Sequence, residues 1–225
     1  MGSSEFKKVL SQTEHRPYPL PEGSWVLSMR WHHLLFVYWP VPEDVLRLLI
    51  PPALELDTFE EPAWLGVVSF CMESVWPRFL PALRRLSSFP QLNLHTYATH
   101  EGKPGIWFFS LDAHNPVAVC LARATFGLPY FDADMHCQAR SDEVRYRSVR
   151  QHEDAPPARF AASYRPGPLE NFLTGRYCLY SAGVGESGPV LRRGDIHGMW
   201  SLQSAEVEAE ELEMTARIRM MLPDV

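Results

Sequence analysis

Prolines and glycines divide this chain into apolar segments that are too short for long helices. The sequence has 20 Pro and 13 Gly among 225 residues, and many of the segments between them are rich in aromatic and β-branched side chains, which favour strands. The predicted strands are 25–39, 54–59, 63–75, 91–99, 106–112, 130–140, 144–150, 159–164, 176–182, 190–196 and a segment around 206–210. Three hairpins are expected: 54–59 with 63–75, 91–99 with 106–112, and 176–182 with 190–196.

Three short helices are predicted between these strands. The first follows Pro42, because a first helical turn tolerates proline. The second begins at Asn115 as an N-cap, and its apolar stripe comprises Val117, Leu121 and Ala124. The third spans 168–174. The pattern therefore predicts a mainly β (β-rich α+β) fold, in which a many-stranded antiparallel sheet curls on itself.

Composition indicates one ordinary globular domain. Hydrophobic residues make up 46% and charged residues 21% of the chain, which argues against disorder and against a fibrous repeat. No linker or internal repeat is evident. We expect residues 1–20 to form an N-terminal extension and residues 21–225 to form a single domain.

Charge and hydropathy exclude two classes of partner. The net charge is −6, and the chain has three lysines against eighteen arginines, with no basic run longer than two residues. Nucleic acid is therefore not expected as a partner. No stretch reaches about eighteen consecutive apolar residues, and the N-terminus lacks a signal-peptide core. We expect a cytoplasmic protein without a membrane partner, and a homo-oligomer stays open.

The four cysteines do not form a recognisable metal or redox motif. Cys71, Cys120, Cys137 and Cys178 are scattered without CxxC or zinc-ribbon spacing. We expect reduced, buried thiols, no cofactor and no metal.

Five blocks of the sequence carry a family resemblance. They are LRLLIPPALELDTFEEPAWLGVVSF, QLNLHTYATHEGKPGIWFFSLDA, LARATFGLPY, ENFLTGRYCLYS and IHGMWSLQSAEVE. In this order they resemble the blocks of an uncharacterised bacterial family, the YqjF-like domain of unknown function 2071, from about Trp25 to about Glu208. No biochemical activity comes with that family.

The family resembles, more distantly, the acetoacetate decarboxylase-like superfamily. This implies a cone-shaped antiparallel β-barrel with a few short helices around a mostly apolar pocket. In the decarboxylases a segment Arg-x-x-x-Gly-Tyr-Pro-Lys-Lys follows a helix, and its first lysine forms a Schiff base with the substrate ketone. The matching segment here runs from Arg123 through Gly127 and Pro129 to Tyr130 and Phe131. Neither of the last two residues has a primary amine, so decarboxylation by that route is excluded.

The resemblance also implies an inward-facing glutamate on the segment that starts at Gln91. An amide at that position cannot act as an acid or base. Relatives often carry arginine two residues after the Asn, where this chain has His95. Any acid/base role taken over from the superfamily is therefore not supported by these two positions.

Two alternating segments carry polar side chains suited to a site. Asn93, His95 and Tyr97 alternate with apolar neighbours, so they share one strand face, which points either into the barrel or outward to solvent. Asp132, Asp134 and His136 also project to one side of a strand. They could hold a metal ion, transfer protons or contact a ligand, and a solvated face explains the same alternation.

Two arginines next to apolar residues, Arg123 and Arg176, would need a carboxylate partner if buried. That partner is either a protein side chain, which we favour, or a ligand.

The sequence as a whole favours a barrel that binds a small organic molecule carrying a carbonyl or carboxylate group. The catalytic candidates are Tyr130 and His95. The ligand-binding candidates are Arg123, Asn93, Gln91, Tyr97, Phe131, Asp134 and His136. One alternative is a lysine-independent enzyme that performs proton transfer, hydration or hydrolysis on a carbonyl compound. Another is a non-catalytic interaction protein that uses the acidic strand around Glu206.

Overall fold

The computed structural model describes residues 3–79, 87–140, 143–151, 158–164, 173–174, 176, 178–182, 190–194, 197, 205–212 and 215. For residues 3–6, 158–164, 182, 190–194 and 205–212 the description covers the backbone alone.

Three helices and eleven strands occur in the described residues. The helices are α1 (Ser3–Ser11), α2 (Glu43–Arg47) and α3 (Pro116–Phe126). The strands are β1 (Leu27–Val41), β2 (Glu55–Leu56), β3 (Ala63–Pro77), β4 (Phe89–His100), β5 (Lys103–Ala113), β6 (Tyr130–Ala139), β7 (Val144–Arg150), β8 (Ala158–Tyr164), β9 (Cys178–Ala182), β10 (Val190–Gly194) and β11 (Ala205–Leu212). None of these helices is long and apolar enough to cross a membrane.

All eleven strands join one sheet that curls into a half-barrel. Its main path runs β1-β3-β4-β5-β6-β7-β8-β11, while β2 pairs with β4 and the β9–β10 pair attaches to β5. Neighbouring strands are antiparallel except where β5 meets β6 and β9. The predicted mainly β fold is confirmed.

Two of the three predicted hairpins are present. β4 and β5 form the first, and their turn includes Gly102 with φ of 69°. β9 and β10 form the second. The predicted pairing of 54–59 with 63–75 is wrong apart from one isolated bridge, Thr58 to Ala63. Both edges of β3 are occupied by β1 and β4 instead, and β2 pairs with the far end of β4.

The helix after Asn115 forms as predicted, but it buries a different face. The Asn115 side chain accepts a hydrogen bond from the Ala118 N–H at 3.1 Å, which satisfies one free donor of the first turn. The expected stripe is exposed, with Leu121 at 59%. The residues that pack against the sheet are Ala118, Val119, Ala122 and Phe126. Helix α1 was not predicted, and most of the third predicted helix, 168–174, lies outside the described residues.

Strand β4 is buried on both faces because the core lies on both sides of it. One face packs Leu92 and Leu94 against Leu46 of α2 and against side chains of β6 and β7. The other face meets an aromatic cluster that includes Phe70 and Phe108 and lies under α3. Every polar side chain on this strand must therefore find its partners inside the protein.

Candidate functional site

One face of β4 carries four polar side chains that are enclosed by the fold. Gln91, Asn93, His95 and Tyr97 are exposed by only 1%, 6%, 3% and 0%. We call these four residues the buried polar row. They alternate with Leu92, Leu94 and Thr96, which face the other side of the sheet. This polar face is therefore enclosed by the protein and does not face solvent.

Tyr130 reaches the buried polar row from a neighbouring part of the sheet. The start of β6 pairs with the end of β5, so that Tyr130 lies opposite Leu111, which itself lies opposite Asn93. The Tyr130 hydroxyl donates to Gln91 Oε1 at 3.3 Å, and Gln91 Nε2 donates to Asn93 Oδ1 at 2.6 Å. The amide nitrogen of Asn93 ends this chain without a hydrogen-bond partner in the described part of the protein.

The hydrogen bonds of Tyr97 define which nitrogen of His95 carries the proton. The single hydroxyl proton of Tyr97 is donated to the Leu173 carbonyl at 2.9 Å. His95 Nε2 lies 3.2 Å from the same hydroxyl oxygen, which has only lone pairs left to offer. Nε2 must therefore be protonated and donate. The other nitrogen, Nδ1, is a bare acceptor, and it is buried without a partner among the described residues.

A glycine on the adjacent strand makes room for the His95 ring. Gly66 of β3 pairs with His95, and a Cβ at Gly66 would lie 2.5 Å from His95 Nε2 and 3.0 Å from Tyr38 Cε1. Real Cβ atoms do not approach that closely. The rings of Tyr38, Tyr97 and Phe108 surround the imidazole at 6.4, 5.4 and 6.0 Å between centroids. The His95 ring therefore packs among aromatic rings and occupies the space that a side chain at residue 66 would fill. We call this surrounding the aromatic cage.

Burial keeps the candidate acid and base groups neutral. Desolvation, helped by the Arg176 cation, lowers the pKa of His95 to about 3. Desolvation also raises the pKa of Tyr130 to about 12, although the hydrogen bond with Gln91 opposes that rise. The pKa of Tyr97 is raised further, again because the phenol is buried. At neutral pH the row consists of uncharged donors and acceptors.

The Arg176 cation beside the row is already paired. The Arg176 guanidinium lies 4.8 Å from the centre of the Tyr97 ring and donates to the Asp57 carboxylate. Arg176 is 5% exposed, so the ion pair is largely withdrawn from water. Its charge is compensated by the protein itself, as the sequence argument favoured for this arginine.

The family model DUF2071, described as an uncharacterized conserved protein, matches residues 28–225. The chain belongs to the DUF2071 family. A curated relative, the uncharacterized protein YqjF of Bacillus subtilis strain 168, is 40% identical over 215 residues, covering 91% of this chain and 86% of that protein.

Solved structures similar to this DUF2071 chain share its fold. An acetoacetate decarboxylase from Legionella pneumophila matches with a TM-score of 0.58 and 15% identity, covering 91% of this chain and 84% of that one. An acetoacetate decarboxylase-like enzyme from Sphingomonas wittichii matches at 0.55 and 15%, covering 85% and 84%. MppR, an enduracididine biosynthesis enzyme, matches at 0.51 and 12%, covering 90% and 80%. The acetoacetate decarboxylase-like fold is thereby shown.

None of the three lysines lies at the buried polar row of this DUF2071 chain. Lys7 and Lys8 are exposed on helix α1. Lys103 starts β5 in the β4–β5 turn, where it pairs with His100, and its carbonyl accepts a hydrogen bond from Tyr180 at 2.6 Å. Tyr130, which the sequence resemblance aligns with the Schiff-base lysine, has a phenol instead of an amine.

Four of the predicted ligand-binding residues lie outside the row. Arg123 is exposed on α3, because that helix turns its alanines rather than this side chain toward the sheet. Phe131 follows Tyr130 and so projects to the opposite side, against the Arg150 guanidinium at 4.4 Å. Asp134 and His136 are 41% and 60% exposed, with Asp134 also 3.2 Å from Arg147. The structure therefore does not bring Arg123 or Phe131 together with the buried polar row.

The side chains of Asp132, Asp134 and His136 do share one side of β6, opposite buried Ala133 and Met135, as the spacing predicts. Asp134 also approaches His114 Nδ1 at 3.8 Å. Across the described residues, no three His, Cys, Asp or Glu side chains are grouped closely enough to hold a metal ion. The backbone of β11 pairs with β8, but the glutamate side chains around Glu206 lie outside the described part.

Sequence reasoning missed two residues of the site, Tyr38 and Gly66. Both depend on the pairing of β1 with β3, where Tyr38 lies opposite Gly66. The alternation of Phe36 and Tyr38 along β1 was a usable signal for their common face. No local signal shows that this face meets His95, because the contact crosses three strands.

Proposed function

We propose that this protein binds a small organic molecule with a carbonyl or carboxylate group, in an apolar pocket at the buried polar row and without Schiff-base chemistry. One observation carries the proposal: His95 Nδ1 is buried and has no partner among the described residues. Buried polar atoms are nearly always hydrogen-bonded, so an unpaired one in a preformed polar row favours a ligand as the missing partner.

The charge state of the row favours binding over catalysis. A general acid or base works best when its pKa lies near the working pH. His95, with a pKa of about 3, and Tyr130, with a pKa of about 12, are both far from neutrality. Neutral side chains of this kind are suited to recognising a ligand by hydrogen bonds.

The structural neighbours support the choice of ligand class. Two of them are named for acetoacetate decarboxylation, and the structure of MppR contains a condensation product of pyruvate. Acetoacetate and pyruvate are carbonyl compounds that also carry a carboxylate. This fold therefore accommodates such molecules in other proteins, and the present chain keeps polar side chains in its interior.

Native mass spectrometry of the purified protein tests the proposal. We expect a bound small molecule that is released on unfolding. The variant Asn93→Leu keeps the side-chain size but removes the amide, so it should lose the ligand while it stays folded. Thr96→Val is the matched control, because Thr96 lies on the opposite face of β4 and its hydroxyl donates to the Trp64 carbonyl at 2.8 Å.

A wild-type protein that carries no small molecule, and whose melting temperature responds to none of a panel of carbonyl compounds and carboxylates, contradicts the proposal. Equal ligand loss in Asn93→Leu and Thr96→Val would also contradict it, since the buried polar row would then have no special role.

A further inference from the structure

Among the described residues, two neighbouring groups of opposite kind in the buried polar row have hydrogen-bonding capacity left. His95 Nδ1 is an acceptor, because the proton of the neutral ring resides on Nε2, which donates to Tyr97. The Asn93 amide nitrogen is a donor, because its oxygen already accepts from Gln91. The two residues are neighbours on the same face of β4, with Cα atoms about 7 Å apart.

The acceptor at His95 sets a requirement that a simple ketone or a carboxylate cannot meet. A ketone has no hydrogen to donate, and a carboxylate at neutral pH offers only lone pairs. A carboxylate would also need a counter-charge in this low-dielectric interior. In the described part of the row, the adjacent cation Arg176 already serves Asp57.

From these contacts we infer that the ligand is a neutral hydroxycarbonyl compound, whose hydroxyl donates to His95 Nδ1 and whose carbonyl accepts from the Asn93 amide. This inference rests on the proposed function and narrows its ligand class. A hydroxyl and a carbonyl on neighbouring carbons present one donor and one acceptor, the chemical complement of the acceptor and the donor that these two neighbouring residues offer. The surrounding rings of Tyr38 and Phe108 take the apolar part of the molecule.

Among the described residues, no protein group donates a hydrogen bond to His95 Nδ1, so that position is open to the ligand hydroxyl. On its Nε2 side the ring donates to the Tyr97 hydroxyl and fills the space that a Cβ at Gly66 would occupy. Because His95 Nδ1 is enclosed, a ligand reaches it only when the surrounding structure opens locally. Ligand binding must therefore be measured after it has reached equilibrium.

Nitrogen NMR of the histidine rings gives a first test that needs no ligand. A long-range hydrogen–nitrogen correlation spectrum reports which ring nitrogen is protonated. We expect His95 to be the Nε2–H tautomer, with the Nδ1 resonance at the chemical shift of an unprotonated ring nitrogen. The opposite tautomer would overturn the inference, because Nδ1 would then be a donor.

Three probes of similar size give the second test. Acetoin has the hydroxyl and the ketone, methyl isopropyl ketone replaces the hydroxyl by a methyl group, and lactate replaces the methyl ketone by a carboxylate. We expect acetoin to shift the Nδ1 resonance and to bind about tenfold more tightly than methyl isopropyl ketone, the effect of one buried acceptor left unpaired. Lactate should bind more weakly than acetoin as well.

Equal affinity for acetoin and methyl isopropyl ketone, or no response of Nδ1 to acetoin, overturns the inference. The two proposals fail in different ways. A native ligand without a hydroxyl group would support the proposed function and contradict the hydroxycarbonyl class. A protein that binds no small molecule would contradict the proposed function and the hydroxycarbonyl class alike.

Matched variants tie the preference to His95. His95→Phe keeps a ring in the aromatic cage but has no acceptor, so the tenfold preference for acetoin should disappear, and Thr96→Val should retain it. A preference that persists in His95→Phe overturns the assignment. If His95→Phe does not fold, the comparison of probes on the wild-type protein decides alone.

Discussion

His95 remains neutral in the folded protein well below the pH at which an ordinary histidine becomes charged. Burial and the Arg176 cation lower its pKa to about 3, against about 6.5 in an unfolded chain. Below pH 6.5 the unfolded state therefore binds a proton that the folded state does not. The contribution of His95 to stability is complete above that pH and is lost as the pH falls toward 3.

We expect the folded protein to lose about 3 kcal/mol of unfolding free energy to His95 alone between pH 7.5 and pH 4.5. Urea unfolding of the wild type and of His95→Phe over this range measures it, since the eight other histidines are common to both chains. The wild type should show the steeper decline. Parallel curves of unfolding free energy against pH would contradict this expectation, because they would show that the folded and unfolded states protonate His95 over the same pH range.

Cys137 differs from an ordinary thiol because the neighbouring Cys71 thiol stabilises its thiolate. Hydrogen bonding with Cys71 lowers the pKa of Cys137 to about 7, although burial opposes the shift. The same contact with Cys137, together with burial, raises the pKa of Cys71. One of the two half-buried thiols is therefore poised to ionise near neutral pH, and its partner stays protonated.

Alkylation by iodoacetamide should accordingly show a midpoint near pH 7 at Cys137, whereas Cys71 should remain protonated over the same range. In Cys71→Ala the midpoint pH of Cys137 alkylation should move upward, because the thiol that stabilises the Cys137 thiolate is gone. Peptide mass spectrometry after timed labelling measures both, with exposed Cys120 as the reference thiol. A wild-type midpoint near 9 at Cys137 would contradict the hydrogen-bonded pair.

At the scale of elements, helix α3 shows where periodicity misleads. Its sequence, PVAVCLARATF, is apolar on nearly every side, so several stripes fit a helical repeat. The start was predictable from Asn115 because a cap is a local interaction. The buried face was not, since the sheet beneath selects the small side chains Ala118 and Ala122 together with Val119, which lets the helix approach closely.

The two candidate faces of α3 should differ in their response to truncation. Val119→Ala should cost about 1–2 kcal/mol of unfolding free energy, because Val119 is 6% exposed and its methyl groups leave a gap in the core. Leu121→Ala removes more atoms but should cost under about 0.5 kcal/mol, as the side chain is 59% exposed. Chemical denaturation of both variants decides, and a larger effect at Leu121 would contradict the packing of α3.

Strand β4 shows what alternation can and cannot predict. The sequence placed Asn93, His95 and Tyr97 on one face, and the structure agrees. Whether that face points inward depends on which strands flank β4, and those contacts come from residues far away in sequence. A strand buried on both faces also breaks the simple rule that polar positions face water.

At the scale of the whole molecule, a buried ion pair spans the bend from β5 through β6 to β7. Arg150 contacts the Asp112 carboxylate at 2.7 Å, and the Ser148 hydroxyl donates to the same carboxylate at 3.2 Å. Both charged side chains are about 5% exposed or less. The pair joins strands that lie on either side of β6, so it holds the curvature of the sheet.

Asp112→Asn should therefore cost about 3–5 kcal/mol of unfolding free energy, because it leaves the Arg150 cation buried without its counter-charge. Glu143→Gln is the matched control: Glu143 pairs with Arg145 at 2.9 Å, but there the side chains are 33% and 64% exposed. That loss should be about 0–1 kcal/mol. Urea midpoints of the two variants measure the contrast, and similar losses would refute a structural role for the inner pair.

Most of the architecture could be anticipated because strand existence depends on local composition, and the resemblance supplied the topology class. The prediction that 54–59 pairs with 63–75 was wrong. It assumed that strands joined by a short connection are paired, whereas β1 pairs with that edge of β3. The site was half predictable: the β4 row and Tyr130 come together, but Arg123 does not, because a helix can rotate about its axis without changing its sequence pattern.

The distribution of primary amines has a practical consequence for handling this protein. Lys7 and Lys8 lie on the N-terminal helix and Lys103 lies in the turn between β4 and β5. Coupling to a sensor surface or a fluorophore through amines would thus attach the molecule by these peripheral points and leave the interior chemically untouched. Ligand titrations on immobilised or dye-labelled material would therefore test the buried polar row with its side chains unmodified.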